Sequence, residues 1–333
     1  MQTAEILIII GCSGIRTSKH ASAEWKSCSG SRKTLKFLSI PLAGLRGHVL
    51  FNILIYQFHS ENYTVIKVGR LKTKYAVIDN LRIRYQDSAT AGAKTLIFLH
   101  GLGGSIESWD SNTGQLSKKY RTVVFDLPGF GLSDKPLRNY TIGFFSSFVM
   151  QAVRRLSIEF PINIIGSSLG GQIAASIAAV NPNEVDKLVL ISPAGFTPKS
   201  FLNSHGLQKY AGILGATSKA EIKKALSETT TAPVSSKLAS LVRERISMQG
   251  AKDAFDSSLR HSATARRINI NKIKSSTLVI WGKEDLVIPI RFVFPFIEMK
   301  NCRVNILENC GHRPHAEQPR LVNEIIQRFI GGN

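Results

Sequence analysis

The sequence predicts an α/β fold, in which a mostly parallel sheet is flanked by helices on both faces. From about residue 72 onwards, short apolar runs alternate with longer amphipathic segments. Continuous apolar runs are typical of strands buried on both sides, and their alternation with helices is typical of parallel sheets. Glycine-rich or polar segments directly follow five of these runs. Because ligands bind at the carboxyl ends of parallel strands, the sequence predicts one functional edge of the sheet.

The apolar runs predict the strands in chain order. Residues 75–85 alternate in polarity around Asp79-Asn80, which predicts a β-hairpin. Apolar residues at helical spacing over 140–153 and 321–330 predict helices that pack on the sheet. Buried strands are predicted at residues 95–99, 122–125, 162–165, 187–191, 277–280 and 304–307.

The region between the predicted strands at 187–191 and 277–280 lacks any strand pattern. Short helices are predicted there instead, over 220–228, 236–247 and 251–260. We therefore expect a helical cap at residues 197–268, inserted into a core formed by residues 71–196 and 269–333.

Residues 1–70 are expected to form a basic, partly disordered extension outside this core. Their apolar runs, at 6–10 and 49–56, are far shorter than the roughly 18–20 residues that span a bilayer. A secretory signal also begins with basic residues, whereas Glu5 precedes the first run. Three interpretations remain: a targeting segment, a membrane-surface anchor, or upstream sequence included by a misplaced start codon. Neither targeting signature is complete, which favours the third.

Composition excludes few functions. The chain has 333 residues, of which 43% are hydrophobic and 20% charged, and its formal net charge is +20. A basic chain can bind nucleic acid, but no motif of that kind is present, so a solvated basic surface is the favoured interpretation and no nucleic-acid partner is expected. The four cysteines lack metal-ligand spacing, so we expect no metal, no cofactor and a reducing, cytoplasmic location. They are Cys12, Cys28, Cys302 and Cys310.

The most informative segment is Gly166-Ser167-Ser168-Leu169-Gly170-Gly171. It joins an apolar strand to an alanine-rich helix, which places Ser168 at a sharp strand-to-helix turn. Gly166 and Gly170 flank the serine, where neighbouring side chains would crowd the turn. This geometry exposes a hydroxyl above a helix N-terminus and is suited to a nucleophile.

A serine nucleophile requires a base, and the base requires an acid that orients it. His312 follows the last predicted strand, and Asp285 follows the strand before it. Residues 187–220 contain no Asp or Glu, so the loop within them cannot supply the acid. Glu284 remains the rival to Asp285, and we expect it to face solvent.

Negative charge that develops on an acyl oxygen must be stabilised by backbone N–H groups. Leu169 supplies one such group at the start of the helix. The second is expected from Leu102, in the loop His100-Gly101-Leu102-Gly103-Gly104. His100, Gly101 and Gly103 then support this loop, because glycines allow the backbone to approach a substrate closely.

From about residue 72 to its end, the chain resembles enzymes of the α/β-hydrolase fold. The His-Gly loop, the segment Asp126-Leu127-Pro128-Gly129-Phe130-Gly131-Leu132-Ser133, the Gly-x-Ser-x-Gly turn and the late Asp and His loops match that family in order. The resemblance implies a Ser168–His312–Asp285 triad, an acyl-enzyme intermediate, water as second substrate and a cap at 197–268. Dehalogenases and epoxide hydrolases of this family carry Asp at the nucleophile position, so Ser168 argues against both.

Within the family, the chain resembles carboxylesterases and the hydrolases that cleave C–C bonds of meta-cleavage products. The latter typically show Trp after the catalytic His, where this chain has Arg313, and an Arg in the cap that binds the substrate carboxylate. Arg243, Arg245 and Arg260 are candidates for that role. We therefore expect a carboxylic ester hydrolase acting on a small molecule, with a C–C hydrolase and a ligand receptor on the same fold as alternatives. The extension at residues 1–70 is the segment through which any contact with a membrane is expected.

Overall fold

A computed structural model describes residues 6–10, 25–28, 35–39, 52–57, 71–90, 92–216 and 218–332. Its strands form a single twisted sheet in the order β2-β3-β4-β1-β12-β11-β10-β9-β7-β8-β6-β5. In chain order they are β1 (Ile6–Ile10), β2 (Trp25–Cys28), β3 (Leu35–Ser39), β4 (Asn52–Gln57), β5 (Thr73–Ile78), β6 (Leu81–Asp87), β7 (Thr95–Leu99), β8 (Arg121–Phe125), β9 (Ile162–Ser167), β10 (Val185–Ile191), β11 (Ser276–Gly282) and β12 (Cys302–Leu307).

The eight strands from β5 onwards form the predicted, mostly parallel sheet. Strands β7 to β12 pair in parallel, whereas β5 and β6 form the predicted antiparallel hairpin at one side. Asp79 and Asn80, both at positive φ, make its turn. The sequence patterns therefore located every strand of this part of the sheet.

Strand β1 pairs in parallel with β12, and β4, β3 and β2 continue the sheet beyond it. These four short strands come from residues 1–70, for which a separate extension is expected. The remaining residues of that stretch lie outside the described ones. The limits of extension, core and cap at 70, 196 and 268 stay predictions.

Helices cover both faces of the sheet, and the residues of β7 show how each face is filled. Ile97 and Leu99 belong to the apolar cluster beneath the helices that follow β8 and β9, whereas Leu96 and Phe98 belong to the cluster beneath the C-terminal helix. Successive residues of a strand point to opposite faces, so an unbroken apolar run fills both layers. The helices are α1 (Asp110–Leu116), α2 (Ile142–Arg155), α3 (Leu169–Val180), α4 (His205–Ala211), α5 (Lys219–Ser227), α6 (Ser236–Ile246), α7 (Ala251–Thr264), α8 (Phe294–Ile297), α9 (Pro314–Glu317) and α10 (Pro319–Gly331).

Four helices, α4 to α7, lie within residues 197–268, which we call the cap segment. Three of them match the predicted cap helices, although α7 runs four residues further than expected. Helix α4 was not predicted. Buried side chains of α5, α6 and the turns beside them form a small apolar cluster of their own: Ile213, Ile222, Leu226, Val234, Ala239 and Ile246. The described residues of the cap segment contain no strand.

The register of the sheet aligns the ends of the central strands. Leu99 of β7 pairs with Gly166 of β9, and Ser167 pairs with Ile191 of β10. On the far side, Gly282 of β11 pairs with Leu307 of β12. The segments that follow these residues carry the predicted site residues, so all of them start from one edge of the sheet.

Candidate active site

Ser168 occupies a strained turn between β9 and α3. Its φ and ψ angles are 53° and −116°, a region that residues with a side chain seldom occupy. Its N–H donates to the Ile191 carbonyl at 2.9 Å, and its own carbonyl accepts from Gln172 and Ala194, both at 3.0 Å. These backbone bonds hold the turn and leave the partly exposed hydroxyl free to contact a bound molecule.

Gly166 and Gly170 are glycines because the turn leaves no space for side chains. A Cβ atom at Gly166 would overlap the carbonyl group of Gly170, and one at Gly170 would overlap the carbonyl groups of Leu99 and His100. These contacts are with backbone, which cannot rotate away. The sequence pattern that predicted the turn therefore follows from steric contact.

His312 and Asp285 meet as the chain order suggested. The Nδ1 atom of His312 lies 2.8 Å from Oδ2 of Asp285, and both side chains are buried, with exposures of 6% and 0%. The other carboxylate oxygen of Asp285 accepts N–H bonds from Val287 at 2.9 Å and Ile288 at 2.8 Å. Because a carboxylate can only accept, the Nδ1 atom donates, and in the neutral form of this ring the Nε2 atom has the lone pair.

Glu284 takes a different position from the solvent-facing one that we expected. It is half-buried, and its carboxylate accepts the N–H of Cys310 at 2.9 Å. It therefore joins the loop after β11 to the loop that carries His312. Of the two adjacent acids, the structure brings Asp285 to the imidazole.

The loop after β7, residues 100–104, is held by the imidazole of His100. Its Nε2 atom accepts the N–H of Leu127 at 3.0 Å, so the ring proton is on Nδ1, which donates to the Gly101 carbonyl at 2.8 Å. Burial lowers the pKa of His100 to about 4, in agreement with a neutral ring. Gly104 also donates to the same carbonyl, at 3.0 Å.

These bonds fix the peptide plane between Gly101 and Leu102. In a trans peptide the N–H points away from the carbonyl, so the N–H of Leu102 is directed away from His100. A Cβ atom at Gly101 would lie 3.2 Å from the Cβ of Ser168, which shows how close this loop comes to the serine. Leu169 begins α3, where N–H groups lack partners within the helix. Leu102 and Leu169 line one pocket together with Ser168, and their role as donors to an acyl oxygen stays a prediction.

Gly103 is the second glycine of this loop, and its φ of 68° is left-handed. A side chain there would also press against the ring of Phe255 in the cap segment. Glycine is thus required both by the backbone conformation and by the space left beneath the cap segment.

Two spaces meet at Ser168. The first, which we call the polar cavity, has a volume of about 720 Å³ and contains Ser168 and His312 in its wall. The second, the apolar pocket, is much smaller, at about 50 Å³, and also contains Ser168 in its wall. Polar or charged side chains of the polar cavity include Ser105, Glu107, Asp110, Lys237, Arg245 and Arg313. Side chains of the apolar pocket include Leu102, Leu169, Phe201, Leu207, Leu259 and Ile288.

The three cap arginines that sequence analysis singled out are placed differently. Arg245 lines the polar cavity, and its Nε atom has no hydrogen-bond partner among the described residues. Arg243 is exposed, and Arg260 pairs with Asp256 on an exposed helix face. Arg245 is therefore the one of the three that can reach a molecule bound at Ser168.

Tyr210, on α4, belongs to the site but was not predicted. Its hydroxyl donates to the Leu102 carbonyl at 2.5 Å, and its ring lines both the polar cavity and the apolar pocket. Burial raises the pKa of Tyr210, so the phenol stays protonated and able to donate. A single tyrosine in a helix of seven residues gives no signal of this role in the sequence.

His315, close to His312 in sequence, does not take its place. Its ring packs against Trp109 with the ring centroids 4.4 Å apart, and burial lowers its pKa to about 3. Within the part of the chain that the structure describes, no group of three or more His, Cys, Asp or Glu side chains is placed to hold a metal ion. None of the helices in the described residues has the length and apolar character needed to cross a membrane.

Comparisons with known proteins agree with this architecture. Residues 94–319 match the family model described as alpha/beta hydrolase fold. Human monoacylglycerol lipase ABHD6 is 26% identical over 279 residues, which cover 78% of this chain and 82% of the lipase. The 2-hydroxy-6-oxononadienedioate/2-hydroxy-6-oxononatrienedioate hydrolase of Cupriavidus pinatubonensis is 28% identical over 265 residues. The match covers 75% of this chain and 91% of that hydrolase.

Among solved structures, a membrane phospholipase A, described as a bacterial virulence factor, superposes with a TM-score of 0.67 and 29% identity. The match covers 79% of this chain and 86% of the phospholipase. The family match extends over most of the chain and includes β7 to β12 together with the segments that bear Ser168, Asp285 and His312. The chain therefore belongs to the alpha/beta hydrolase fold family, and it is a hydrolase.

Proposed function

We propose that the protein is a serine hydrolase that cleaves carboxylic esters with Ser168 as nucleophile, His312 as base and Asp285 as the orienting acid. The observation that carries the proposal is the 2.8 Å bond between His312 Nδ1 and Asp285, in the wall of the cavity that contains Ser168. This bond fixes the imidazole tautomer and leaves Nε2 as a proton acceptor.

The reaction follows from these positions. The Ser168 oxygen attacks the acyl carbon as its proton passes to Nε2 of His312, and Asp285 stabilises the imidazolium that forms. The N–H groups of Leu102 and Leu169 donate to the acyl oxygen, which carries the negative charge; one such donor contributes about 3 kcal/mol in a serine protease. His312 then gives its proton to the leaving alcohol. Water, activated by the same imidazole, releases the acid and restores Ser168.

The two spaces at Ser168 support an ester with one apolar and one polar part. The apolar pocket is suited to the acyl group, because burial of hydrocarbon is favourable by about 25 cal/mol per Å². The polar cavity is suited to a hydroxylated or charged alcohol part. A monoacylglycerol lipase among the relatives is consistent with this choice.

A C–C hydrolase of meta-cleavage products is the second candidate, and Arg245 is the observation that favours it. A guanidinium in the Ser168 cavity can bind a carboxylate in a bidentate manner. A relative at 28% identity is a hydrolase of a dienedioate. Arg245 already pairs with Glu244 at 2.8 Å and lies 3.8 Å from Glu107, however, and these carboxylates partly neutralise it, which favours the ester.

A substrate panel separates the two candidates. It consists of p-nitrophenyl esters of increasing chain length, a monoacylglycerol, and a 2-hydroxy-6-oxodienoate whose C–C cleavage is followed by absorbance. We expect turnover of the esters and at most trace cleavage of the dienoate. Efficient dienoate cleavage, with a KM that rises in Arg245→Gln, would instead establish the second candidate. No turnover of any member would contradict both.

A further inference from the structure

The loop that carries His312 is held by a carboxylate that takes no part in the proposed proton transfers. Oε2 of Glu317 accepts the N–H of Gly311 at 2.9 Å, and Oε1 accepts the N–H of Arg313 at 2.9 Å. These two residues are the immediate chain neighbours of His312. One side chain therefore fixes the backbone on both sides of the proposed base.

The same carboxylate also binds the cap segment. Oε2 of Glu317 accepts the backbone N–H of Thr231 at 2.9 Å and its hydroxyl at 2.7 Å. The N–H of His312 itself donates to the Thr229 carbonyl at 3.4 Å. Three consecutive N–H groups, at 311, 312 and 313, are thus satisfied either by Glu317 or by residues 229–231.

The charge state of Glu317 suits this arrangement. Burial by itself would raise the pKa of the carboxyl, but the hydrogen bonds from Thr231, Gly311 and Arg313 outweigh it and lower the pKa below its usual value. Glu317 is therefore ionised near neutral pH, and bonds to a carboxylate are stronger than bonds between neutral groups.

We propose that Glu317 is a positioning residue, which sets the place of the His312 imidazole by joining residues 311–313 to residues 229–231 of the cap segment. This inference rests on the proposed function, because it concerns the base of that reaction. It also implies that the cap segment contributes to catalysis by locating the base, as well as by lining the cavity.

The variant that tests the proposal is Glu317→Gln, with Glu308→Gln as its matched control. A glutamine cannot accept at both positions, since its NH₂ group would face an N–H donor. Glu308 lies on the same loop and pairs with Lys283 at 2.7 Å, and no bond from its carboxylate to residues 311–313 is present in the described structure. Both variants remove one negative charge, so a general effect of charge would appear in both.

Three quantities are measured: kcat and KM on an ester per titrated active site, the rate of Ser168 labelling by a fluorophosphonate, and hydrogen exchange in peptides that contain 311–313 and 229–232. In Glu317→Gln we expect kcat and the labelling rate to fall by about 10-fold to 10²-fold, the scale produced by a misplacement of up to 1 Å. KM should change less than twofold, and exchange should accelerate in both peptides. Glu308→Gln should match the wild type in all three.

Thr231→Val gives a second test that leaves the Glu317 bonds to Gly311 and Arg313 in place. It removes the hydroxyl, which lies 2.7 Å from Oε2 of Glu317 and 3.0 Å from the Asn309 carbonyl, and keeps the backbone N–H, so we expect a smaller fall in kcat. In the double variant the effect should be less than additive, because both changes break the same link.

Unchanged kcat and labelling in Glu317→Gln, or faster exchange with normal kinetics, would overturn the proposal, since Glu317 would then serve structure alone. A loss of folded protein lowers the titrated concentration of active sites, so it does not change kcat per active site. If the wild type is neither active nor labelled, the proposed function fails. Exchange then still decides whether Glu317 joins the loop to the cap segment, and unchanged exchange overturns that link.

Discussion

At the scale of single residues, the two adjacent carboxylates after β11 accept hydrogen bonds from different donors. Asp285 receives three donors, namely the His312 imidazole and the N–H groups of Val287 and Ile288. Glu284 receives the N–H of Cys310. Of these two acids, Asp285 is therefore the one placed to stabilise a charge on the imidazole in the proposed reaction.

Asp285→Asn should lower kcat by orders of magnitude, because an amide can present its NH₂ group to Nδ1 and favour the wrong tautomer. A comparable change in a serine protease costs about 10⁴. Glu284→Gln should change kcat less than about threefold, since the amide oxygen can still accept the Cys310 N–H. Both variants are measured on one ester. If Glu284→Gln is the crippled variant, the assignment of the acid to Asp285 is wrong.

Two buried histidines make stability depend on pH. Burial lowers the pKa of His100 to about 4 and that of His315 to about 3, whereas an unfolded chain protonates its histidines near 6.5. Below pH 6.5 the unfolded state therefore binds more protons, and the free energy of unfolding falls as the pH falls towards 4. Asp126 has the opposite effect on stability, because burial raises its pKa to about 6 and the folded state then binds the extra proton. The two histidines outnumber this one carboxyl group, so the net effect is a loss of stability as the pH falls.

We therefore expect Tm to fall between pH 6.5 and 4.5. His315→Phe should make this fall shallower, because a phenylalanine ring keeps the packing on Trp109 and cannot be protonated. The exposed His205, changed to Gln, serves as control and should leave the slope as in the wild type. Thermal melts across this pH range measure Tm as a function of pH. Equal slopes of Tm against pH for all three proteins would contradict the assignment of this pH dependence to His315.

At the scale of elements, α4 illustrates what the sequence could and could not predict. The strands were found because burial on both faces leaves unbroken apolar runs, such as Leu96 to Leu99. Cap helices α5, α6 and α7 were found because each has an apolar stripe. Helix α4 has only seven residues, its apolar residues Leu207 and Tyr210 are only partly buried, and Gly206 lowers its helix propensity further, so its short apolar pattern did not indicate a helix.

The same reasoning separates the predicted site residues from the missed ones. Ser168, Asp285 and His312 stand directly after strands and in a known order, so local sequence identified them. Tyr210 and Glu317 act through contacts between the cap segment and the core, which depend on how two distant parts of the chain pack. Nothing in the residues around them distinguishes a tyrosine or glutamate with such contacts from an ordinary surface one.

Two variants of Tyr210 should separate its effect on kcat from its effect on the preferred acyl chain length. Tyr210→Phe removes the bond to the Leu102 carbonyl and keeps the ring that lines both spaces. We expect kcat to fall about fivefold, as for loss of one hydrogen bond of about 1 kcal/mol. Tyr210→Ala should join the apolar pocket to the polar cavity and shift the preference towards longer acyl chains. The p-nitrophenyl ester series measures both effects.

Leu207 provides a control, because it lines the apolar pocket and its side chain cannot form a hydrogen bond with the loop at residues 100–104. Leu207→Ala should enlarge the pocket and shift chain-length preference with little change in kcat on short esters. Identical chain-length profiles for wild type and Tyr210→Ala would show that this ring does not divide the site.

At the scale of the whole molecule, the catalytic elements and the eight strands β5 to β12 lie within residues 71–332. Strand β12 keeps its partner β11 without the preceding chain. Deletion of residues 1–68 should therefore change kcat less than about twofold and leave cooperative unfolding intact. Loss of activity or of a cooperative melt would show that β1 to β4 are an integral part of the core and that the domain limit at 70 is wrong.

Covalent labelling tests the central claim most directly. The protein is treated with a fluorophosphonate, and the adduct is located by intact mass and peptide mapping. We expect one adduct, on Ser168, that is absent in Ser168→Ala and formed orders of magnitude more slowly in His312→Ala, because an unassisted hydroxyl is a weak nucleophile. An adduct on the neighbouring Ser167, or no adduct on folded protein, would contradict the assignment of Ser168 as the activated nucleophile.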